Sequence, residues 1–379
     1  MPISICEKIC NLTPLRANVP PSKRDVTPPC APMSRKPLLA VGSLLLSVLL
    51  LLYQPHWERP APAGGGARGF TARAAALPSP ASAARRAVVL TMALNCQDFG
   101  GVQRFVASLR KHSPTTAQVV VFTDAWSLAN ETRLAPLLAM HDATVVAVDL
   151  ARDLPANPFG GPQLAWADLY RWVLYSRWLQ AAAEAACPSG AQPPGQACAP
   201  PFDFVMFSDS RDLVFQADIF AALQGAEGGG RGFYPILESA HDTVGGSEFN
   251  ARWVEGCYGK EGLQRIEGKV VSCSGTSLGA WEDARAYAQL MADTMTRMAS
   301  PTCLWADQGV HNFLLHTGAI AAVVRGGVFP QTHEDGFLVS LGTAPSFQVD
   351  HFGRVLNAAG ALAAAVHQYD RWPALKARL

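Results

Sequence analysis

The chain has 379 residues, of which 49% are hydrophobic and 16% charged, so it can bury one sizeable core and still carry an additional segment. Its formal net charge of +1 provides no long-range basic field, and we therefore expect no nucleic-acid partner. The composition changes near residue 86, because low-complexity sequence precedes that point and short apolar runs follow it. The two parts need separate interpretations.

An uncharged apolar run occupies residues 37–53 and follows Arg35 and Lys36. As a helix, these 17 residues span roughly 25 Å, which is near the lower limit for a bilayer core. Six basic and two acidic residues precede the run, so the positive-inside rule predicts a cytoplasmic tail at 1–36 and a lumenal remainder. We predict a single-pass type II protein of the Golgi or endoplasmic reticulum membrane. A cleaved signal peptide and a plastid transit peptide are the alternatives.

Residues 54–86 are rich in Pro, Ala, Gly and Arg and show no periodicity, which predicts a disordered stem. Six cysteines lie beyond the membrane run, where an oxidising lumen would allow pairing. Cys187 and Cys198 bracket a Pro- and Gly-rich segment and are the best candidates for a local disulfide, while the other pairings stay open. The predicted topology places the sequon at Asn130 in the lumen.

From residue 87 onward, β-branched apolar runs alternate with amphipathic stretches. The runs predict strands and the stretches predict helices, at 87–93, 118–124 and 143–150 for strands and at 101–111 and 128–140 for helices. Strands buried on both faces that alternate with helices form a mostly parallel, Rossmann-like sheet. The carboxyl ends of such strands share one edge, where ligands bind. We therefore predict one lumenal α/β domain at 87–379.

The remainder of this domain continues the alternation less regularly. A helix at 163–186 carries an aromatic stripe that is typical of core packing, and an apolar run at 202–206 predicts a strand. The later pattern indicates a strand at 232–237, a loop at 272–279, helices at 281–298 and from Asp307, and a terminal segment at 362–370.

Two carboxylates, Asp209 and Asp212, directly follow the apolar run at 202–206. They are therefore expected at the ligand-binding edge of the sheet. Hard divalent cations such as Mn²⁺ and Mg²⁺ take oxygen ligands, typically one or two carboxylates together with phosphate oxygens of a substrate. The sequence predicts a metal site here, and a capped turn without a metal is the alternative.

Residues 204–220, FVMFSDSRDLVFQADIF, resemble the acidic-motif segment of GT-A glycosyltransferases. In that family an apolar strand leads into a D-x-D-type motif that holds a metal ion and the diphosphate of a nucleotide sugar. The spacing here is D-x-x-D, so Ser210 stands where the first family aspartate would be if Asp212 takes the place of the second. The resemblance implies Asp212 and Asp209 as ligands of Mn²⁺ or Mg²⁺, with Ser210 beside the donor.

Further segments match the family in the expected order, over roughly residues 87–372. The segment CSGTSLG at 273–279 resembles the glycine-containing loop that approaches the donor. The resemblance implies donor contacts at Gly275 and Thr276. An ordinary turn before the next helix would also explain this segment.

Two late segments complete the resemblance. The sequence ADQG at 306–309 resembles a helix start whose carboxylate acts as general base in inverting members, which implies that role for Asp307. The sequence VHQYDR at 366–371 resembles the segment whose histidine completes the metal shell, which implies that His367 is a ligand. A helix cap at Asp307 and a structural histidine at position 367 are the alternatives.

Two arginines, Arg171 and Arg211, are further candidates for the donor site. A guanidinium group makes bidentate contacts with phosphate, so either side chain could bind the donor diphosphate. Both could equally be solvated or paired within the fold.

The resemblance implies a metal-dependent glycosyltransferase, a hexosyl- or pentosyltransferase that moves a sugar from a nucleotide-diphosphate donor, UDP-linked by expectation, to a glycan or glycoprotein acceptor. The first alternative is a catalytically inactive GT-A-like domain that binds glycans or serves as a scaffold. The second is a glycoside hydrolase, which needs two carboxylates on either side of the cleaved bond.

Overall fold

The computed structural model describes residues 86–94, 98–149, 153, 167–187, 198–298, 302–303 and 306–378. The predicted cytoplasmic tail at 1–36, the predicted anchor at 37–53 and all but the last residue of the predicted stem at 54–86 lie outside the described residues. Within the described ranges, no helix combines the length and the apolar character that a membrane span needs.

A six-stranded mixed sheet forms the centre of the domain, in the order β3-β2-β1-β4-β7-β6. The strands are β1 (Ala87–Met92), β2 (Ala117–Asp124), β3 (Ala143–Val148), β4 (Phe204–Asp209), β6 (Phe233–Leu237) and β7 (Ser272–Ala280), and a short strand β5 (Leu213–Phe215) belongs to a second sheet. Strands β1 to β4 pair in parallel, whereas β7 is antiparallel to both β4 and β6. The carboxyl ends of β1, β4 and β6 therefore share one edge with the amino end of β7.

Strand β7 is the main departure from the predicted elements, because 272–279 was expected to be a loop. Its sequence, SCSGTSLGA, has the small polar residues and glycines of a turn rather than the β-branched residues of a strand. The segment is nevertheless a buried strand, since it lies between β4 and β6 and pairs with both. Tertiary position outweighs local propensity here.

Apolar side chains cover both faces of the sheet. In β1, Val88 and Leu90 belong to one core cluster and Val89 to the other, as the two-residue period of a strand requires. The first cluster is rich in aromatic rings, including Trp172 and Tyr287, which pack with ring centroids 5.1 Å apart. Of the predicted stripe, Val173, Leu174 and Leu179 are buried in this cluster, whereas its aromatic side chains lie outside those that the structure describes.

Helices flank the sheet and connect its strands. They are α1 (Phe99–His112), α2 (Ala125–Asn130), α3 (Leu134–Met140), α4 (Ala167–Ala186), α5 (Ile219–Gly225), α6 (Glu248–Ile266), α7 (Trp281–Met298), α8 (Asp307–His316), α9 (Ala319–Val323) and α10 (Pro373–Lys376). The single helix predicted at 128–140 is two short helices, α2 and α3. Helix α6 was not predicted, and it contains a kink at Gly259, where φ is 71°.

A small second sheet brings the C-terminal segment to the central one. Strand β5 pairs antiparallel with β11 (Ala365–His367), which in turn pairs in parallel with β8 (Leu338–Ser340). The strands β9 (Gln348–Val349) and β10 (Val355–Leu356) form a separate antiparallel hairpin. Because β5 begins only four residues after β4 ends, β11 is held beside the carboxyl end of β4.

Two disulfides link described residues. The predicted bridge between Cys187 and Cys198 is confirmed, with Cα atoms 5.7 Å apart. A second bridge, between Cys257 of α6 and Cys303, has Cα atoms 4.5 Å apart and joins positions 46 residues apart in sequence. The spacing of the cysteines gave no indication of the second pair.

Candidate functional site

Three side chains of types that can ligate a metal meet at the shared edge of the sheet. Asp209 ends β4, Asp212 lies in the link to β5, and His367 ends β11. His367 Nε2 is 3.4 Å from Asp212 Oδ1 and 3.6 Å from Asp209 Oδ2. One ligand atom from each of the three residues lies within 4.8 Å of the others. The structure thus brings together the three residues predicted as metal ligands.

The donor atoms in this cluster are buried without the hydrogen bonds that such groups normally make. Asp212 Oδ1 and His367 Nε2 are both inaccessible to solvent and have no hydrogen-bond partner among the described residues. An unpaired buried polar group costs about 1–3 kcal/mol. A carboxylate oxygen and an imidazole nitrogen this close together would both be satisfied by a divalent cation, so the residues present fit a metal ion.

Gly275 leaves the space that this cluster needs. A Cβ atom at position 275 would lie 2.3 Å from Asp209 Oδ2 and 3.2 Å from His367 Cε1. Any side chain there would displace the aspartate, so the absence of a Cβ is a steric requirement of the site. The packing of Gly275 against Asp209 and His367 is a role that the sequence did not predict, and the donor contact expected of this glycine stays a prediction.

The charges in the cluster shift one another's pKa values. Burial alone would raise the pKa of Asp212, but His367 and Arg211 outweigh this effect and hold it below its ordinary value. Burial likewise opposes ionisation of Asp209, and Arg171 and His367 lower the net pKa. For His367, burial is outweighed by its acidic neighbours, and the pKa lies well above the usual value.

Arg171 connects the cluster to the predicted general base. Its Nη1 is 2.6 Å from Asp209 Oδ1, and its Nη2 is 2.5 Å from Asp307 Oδ2. Nη2 also donates to Ser274 Oγ at 3.2 Å. Because the side chain of Arg171 is 11% exposed, this guanidinium is a largely buried cation shared by two carboxylates. The structure therefore places Arg171 in the site, with carboxylates as its partners.

Asp307 is the first residue of α8 but does not cap it. The N-cap is Ala306, and no side-chain hydrogen bond closes this end of the helix. The carboxylate instead turns to Arg171. The next residue, Gln308, accepts a 3.4 Å hydrogen bond from the Ser274 amide and donates one of 3.0 Å to Asn250 of α6. These contacts fasten the start of α8 to β7 and α6, so Asp307 has a fixed position.

The other predicted donor residues lie close by with different exposures. Ser210 is buried and donates to the Met92 carbonyl at 2.9 Å, which ties the end of β4 to the end of β1. Thr276 is fully buried within β7. Arg211 is 30% exposed and lies 3.1 Å from Asp212. Of the predicted donor-binding residues, Arg171 and Arg211 are the two whose positive charge suits a diphosphate.

Two site residues were not predicted from the sequence. Cys273 is buried with its Sγ 3.6 Å from His367 Nδ1, and burial raises the pKa of its thiol. Glu238 follows β6 at the same edge and accepts a 2.9 Å hydrogen bond from Thr343. Burial and the neighbouring Asp242 raise the pKa of Glu238 to about 7. Asp209 was predicted because it follows an apolar run at the end of a predicted strand, and Glu238 has the same position after the strand predicted at 232–237.

Comparisons with known proteins give a limited result. No protein-family model matches the chain, and no curated protein sequence matches it. Solved structures with a similar fold include the galactosyltransferase LgtC in complex with donor and acceptor sugar analogues, at 14% identity and a TM-score of 0.39, covering 74% of this chain and 86% of that one.

Two further solved structures are similar to a lesser degree. Glucosyl-3-phosphoglycerate synthase from Mycobacterium tuberculosis, in complex with phosphoglyceric acid, has 16% identity and a TM-score of 0.33, covering 63% of this chain and 82% of that one. Core-mannan synthase A from Aspergillus fumigatus, in its Mn/GDP form, has 13% identity and a TM-score of 0.32, covering 65% and 72%. Superpositions this loose carry no functional argument, so the functional assignment rests on the geometry of the site.

Proposed function

We propose that this chain is a metal-dependent glycosyltransferase that transfers a sugar from a nucleotide-diphosphate donor, UDP-linked by preference, to a glycan or glycoprotein acceptor. The observation that carries the proposal is the convergence of Asp209, Asp212 and His367 at the carboxyl edge of an α/β sheet. The orphaned Oδ1 of Asp212 and Nε2 of His367 support a cation in that place. A nucleotide diphosphate supplies the phosphate oxygens that complete such a site.

The charged residues of the site fit the requirements of sugar transfer. A divalent cation held by Asp209, Asp212 and His367 would offset the negative charge that develops on a departing diphosphate. Arg211 is exposed enough to add hydrogen bonds to the same phosphates. In the transfer, the bond from the sugar carbon to the phosphate oxygen breaks, and a bond to the acceptor oxygen forms. The acceptor hydroxyl loses its proton to Asp307.

Arg171 must move for this reaction to proceed, because it forms ion pairs with both Asp209 and Asp307. In the structure Oδ2 of Asp307 is paired with Arg171, so the guanidinium and an acceptor hydroxyl would compete for that oxygen. A bound diphosphate would compete with both carboxylates for the guanidinium, since phosphate is a bidentate partner for arginine. We infer that donor binding draws Arg171 toward the phosphates and releases Asp307 to face the acceptor.

Calorimetric titration of the full chain with UDP, in the presence and absence of Mn²⁺, tests the proposal. We expect UDP binding that depends on Mn²⁺ and that is lost in Asp212→Ala and His367→Ala. Asp293→Ala on α7 and His351→Ala are matched controls, because both side chains are exposed and outside the site. Gly275→Ala is expected to abolish Mn²⁺-dependent UDP binding. Gly268→Ala is expected to leave this binding unchanged, because its added Cβ meets nothing within 4 Å.

One observation favours the alternative of an inactive GT-A-like domain. Arg171 already forms ion pairs with both Asp209 and Asp307. If the site is permanently closed in this way, the folded chain will bind neither Mn²⁺ nor UDP. The same titration decides, because a folded wild-type chain without metal-dependent binding contradicts the enzyme and supports a glycan-binding or scaffolding role.

We also propose that this domain works in the lumen of the secretory pathway. The two disulfides among the described residues support this location, since such bonds form and persist in oxidising compartments. Protection of the domain from added protease in intact microsomes, and its loss on addition of detergent, would test the orientation. Digestion in intact microsomes would contradict it.

A further inference from the structure

The ring of His367 has a second buried contact, on the side away from the aspartates. Its Nδ1 lies 3.6 Å from the Sγ atom of Cys273, and both side chains are buried. Among the described residues, Cys273 is the one whose side chain lies within hydrogen-bonding distance of His367 Nδ1. The imidazole thus lies between a thiol on one nitrogen and two carboxylates on the other.

We propose that Cys273 is a positioning residue for the metal site: its sulfur accepts a hydrogen bond from Nδ1 of His367 and so holds the ring with Nε2 directed at Asp209 and Asp212. This inference rests on the proposed function, because it assigns Nε2 to the cation. A ligating histidine generally donates its other ring N–H to a fixed partner, which sets the orientation of the ring. Here the partner is a sulfur atom in place of a carboxylate or a carbonyl.

The surroundings of the ring show why a side-chain contact is needed. The backbone of His367 is fixed, because its carbonyl accepts a hydrogen bond from Leu341 and the next amide donates to the Asp212 carbonyl. These bonds place Cα and do not by themselves set the angle about the Cβ–Cγ bond. Gly275 presents no side chain to the ring. Cys273 therefore supplies a directional contact that keeps Nε2, rather than Cε1, facing the two aspartates.

Titration of the full chain with MnCl2 alone, followed by calorimetry, tests the inference through three substitutions. Cys273→Ala removes the acceptor and leaves a cavity, whereas Cys273→Val removes the acceptor and fills the space. We expect each to weaken Mn²⁺ binding roughly 10- to 100-fold. Cys273→Ser keeps an acceptor and is expected to bind Mn²⁺ more tightly than either. Ser277→Ala, a buried substitution in the same strand, controls for altered packing.

A spectroscopic measurement separates ring orientation from general loss of packing. In ¹⁵N-labelled protein saturated with diamagnetic Mg²⁺, the His367 ring should show its proton on Nδ1, and Cys273→Ala should reduce this preference. If Cys273→Val fails to fold, the comparison of Ala with Ser still decides.

Two results would overturn the inference, and they are distinguishable. Wild-type Mn²⁺ affinity in folded Cys273→Ala, or Cys273→Ser binding as weakly as Ala, would refute the role of the sulfur and leave the proposed function intact. Failure of the wild-type chain to bind Mn²⁺ would refute both.

Discussion

Arg171 is the residue on which the electrostatic balance of the site depends. Its guanidinium contacts Asp209 and Asp307, two carboxylates that would otherwise face each other across the site without a cation. Lysine could not replace it, because an ammonium group lacks the planar fork that reaches two partners in fixed directions. The contact also explains why Asp307 is not a helix cap.

A double-mutant cycle on Arg171 and Asp307 should reveal this coupling. We expect Arg171→Gln alone to lower the free energy of unfolding by roughly 2 kcal/mol, less than a fully buried pair because Asp209 is 38% exposed. Adding Asp307→Asn should recover part of the loss, giving a coupling of about 1 kcal/mol in urea unfolding. The exposed pair of Arg285 and Glu282 is the control, with an expected coupling near zero. Additive effects at position 171 would contradict a shared buried cation.

Glu238 should make stability depend on pH in a direction opposite to that of an ordinary paired carboxylate. Its pKa rises from 4.5 to about 7 on folding, so the folded state binds more protons than the unfolded state between these values. Stability of the metal-free protein should therefore fall as pH rises from about 4.5 to 7, by roughly 2–3 kcal/mol at most.

Urea unfolding of the metal-free chain at several pH values between about 4.5 and 8 would measure this slope. Glu238→Gln should flatten it, because the amide stays neutral and can still interact with Thr343. Glu255→Gln on the exposed face of α6 should leave the slope unchanged. An identical slope in Glu238→Gln would show that another group is responsible.

At the scale of elements, α6 acts as a support for the start of α8. Helix α6 approaches α8 closely at Gly309, where a Cβ would lie 2.7 Å from Trp253 Cβ. It also approaches the segment before α8 closely, because a Cβ at Gly256 would lie 2.1 Å from the Thr302 carbonyl oxygen. The disulfide from Cys257 to Cys303 adds a covalent link four residues before Asp307. Helix α6 therefore contributes to the site without placing a charged residue in it.

The two disulfides should differ in their effect on the site. Removing either by paired Cys→Ser substitution should lower the free energy of unfolding by about 2–4 kcal/mol. Loss of the Cys257–Cys303 bridge should also increase amide hydrogen exchange at the start of α8 and weaken Mn²⁺-dependent UDP binding. Loss of the Cys187–Cys198 bridge should not, because it lies at the far end of α4 from Arg171. Equal effects on exchange in α8 would contradict the supporting role.

Sequence patterns predicted some elements well and others poorly, for physical reasons. Strands β1 and β2 were evident because short β-branched runs are typical of strands buried on both faces. Strand β7 was missed because its small polar residues form a strand only between β4 and β6. The meeting of Asp209 with His367 was anticipated through a family resemblance, and local spacing alone could not have joined residues so distant.

At the scale of the whole molecule, the contacts of Arg171, Cys273 and Glu238 were inaccessible to sequence reasoning. Each joins residues about 100 positions or more apart in the chain, and a single sequence specifies such contacts only through the complete fold. The carboxyl edge of the sheet, by contrast, follows from topology, which is why Asp209 and Asp212 could be placed at that edge from the sequence pattern.

Asn130 provides a test of location for the entire domain. The residue is at the end of α2 and carries a glycosylation sequon, so a lumenal domain should be modified there. Endoglycosidase treatment of the protein from a eukaryotic host should increase its mobility, and Asn130→Gln should abolish the shift. Thr132→Ala, which removes the sequon and keeps the asparagine, is the matched variant. Absence of any shift in the wild type would argue against lumenal exposure of this face.

The position of β11 has a consequence for the assembly of the protein. The central sheet is complete once β7 has been synthesised, whereas His367 follows Asp212 by 155 residues and lies well beyond β7. A chain truncated after Gly360 would therefore retain all six strands of the central sheet and lack the third ligand. The proposed metal site would therefore be assembled only after β11 has been synthesised, later than the sheet whose edge it occupies.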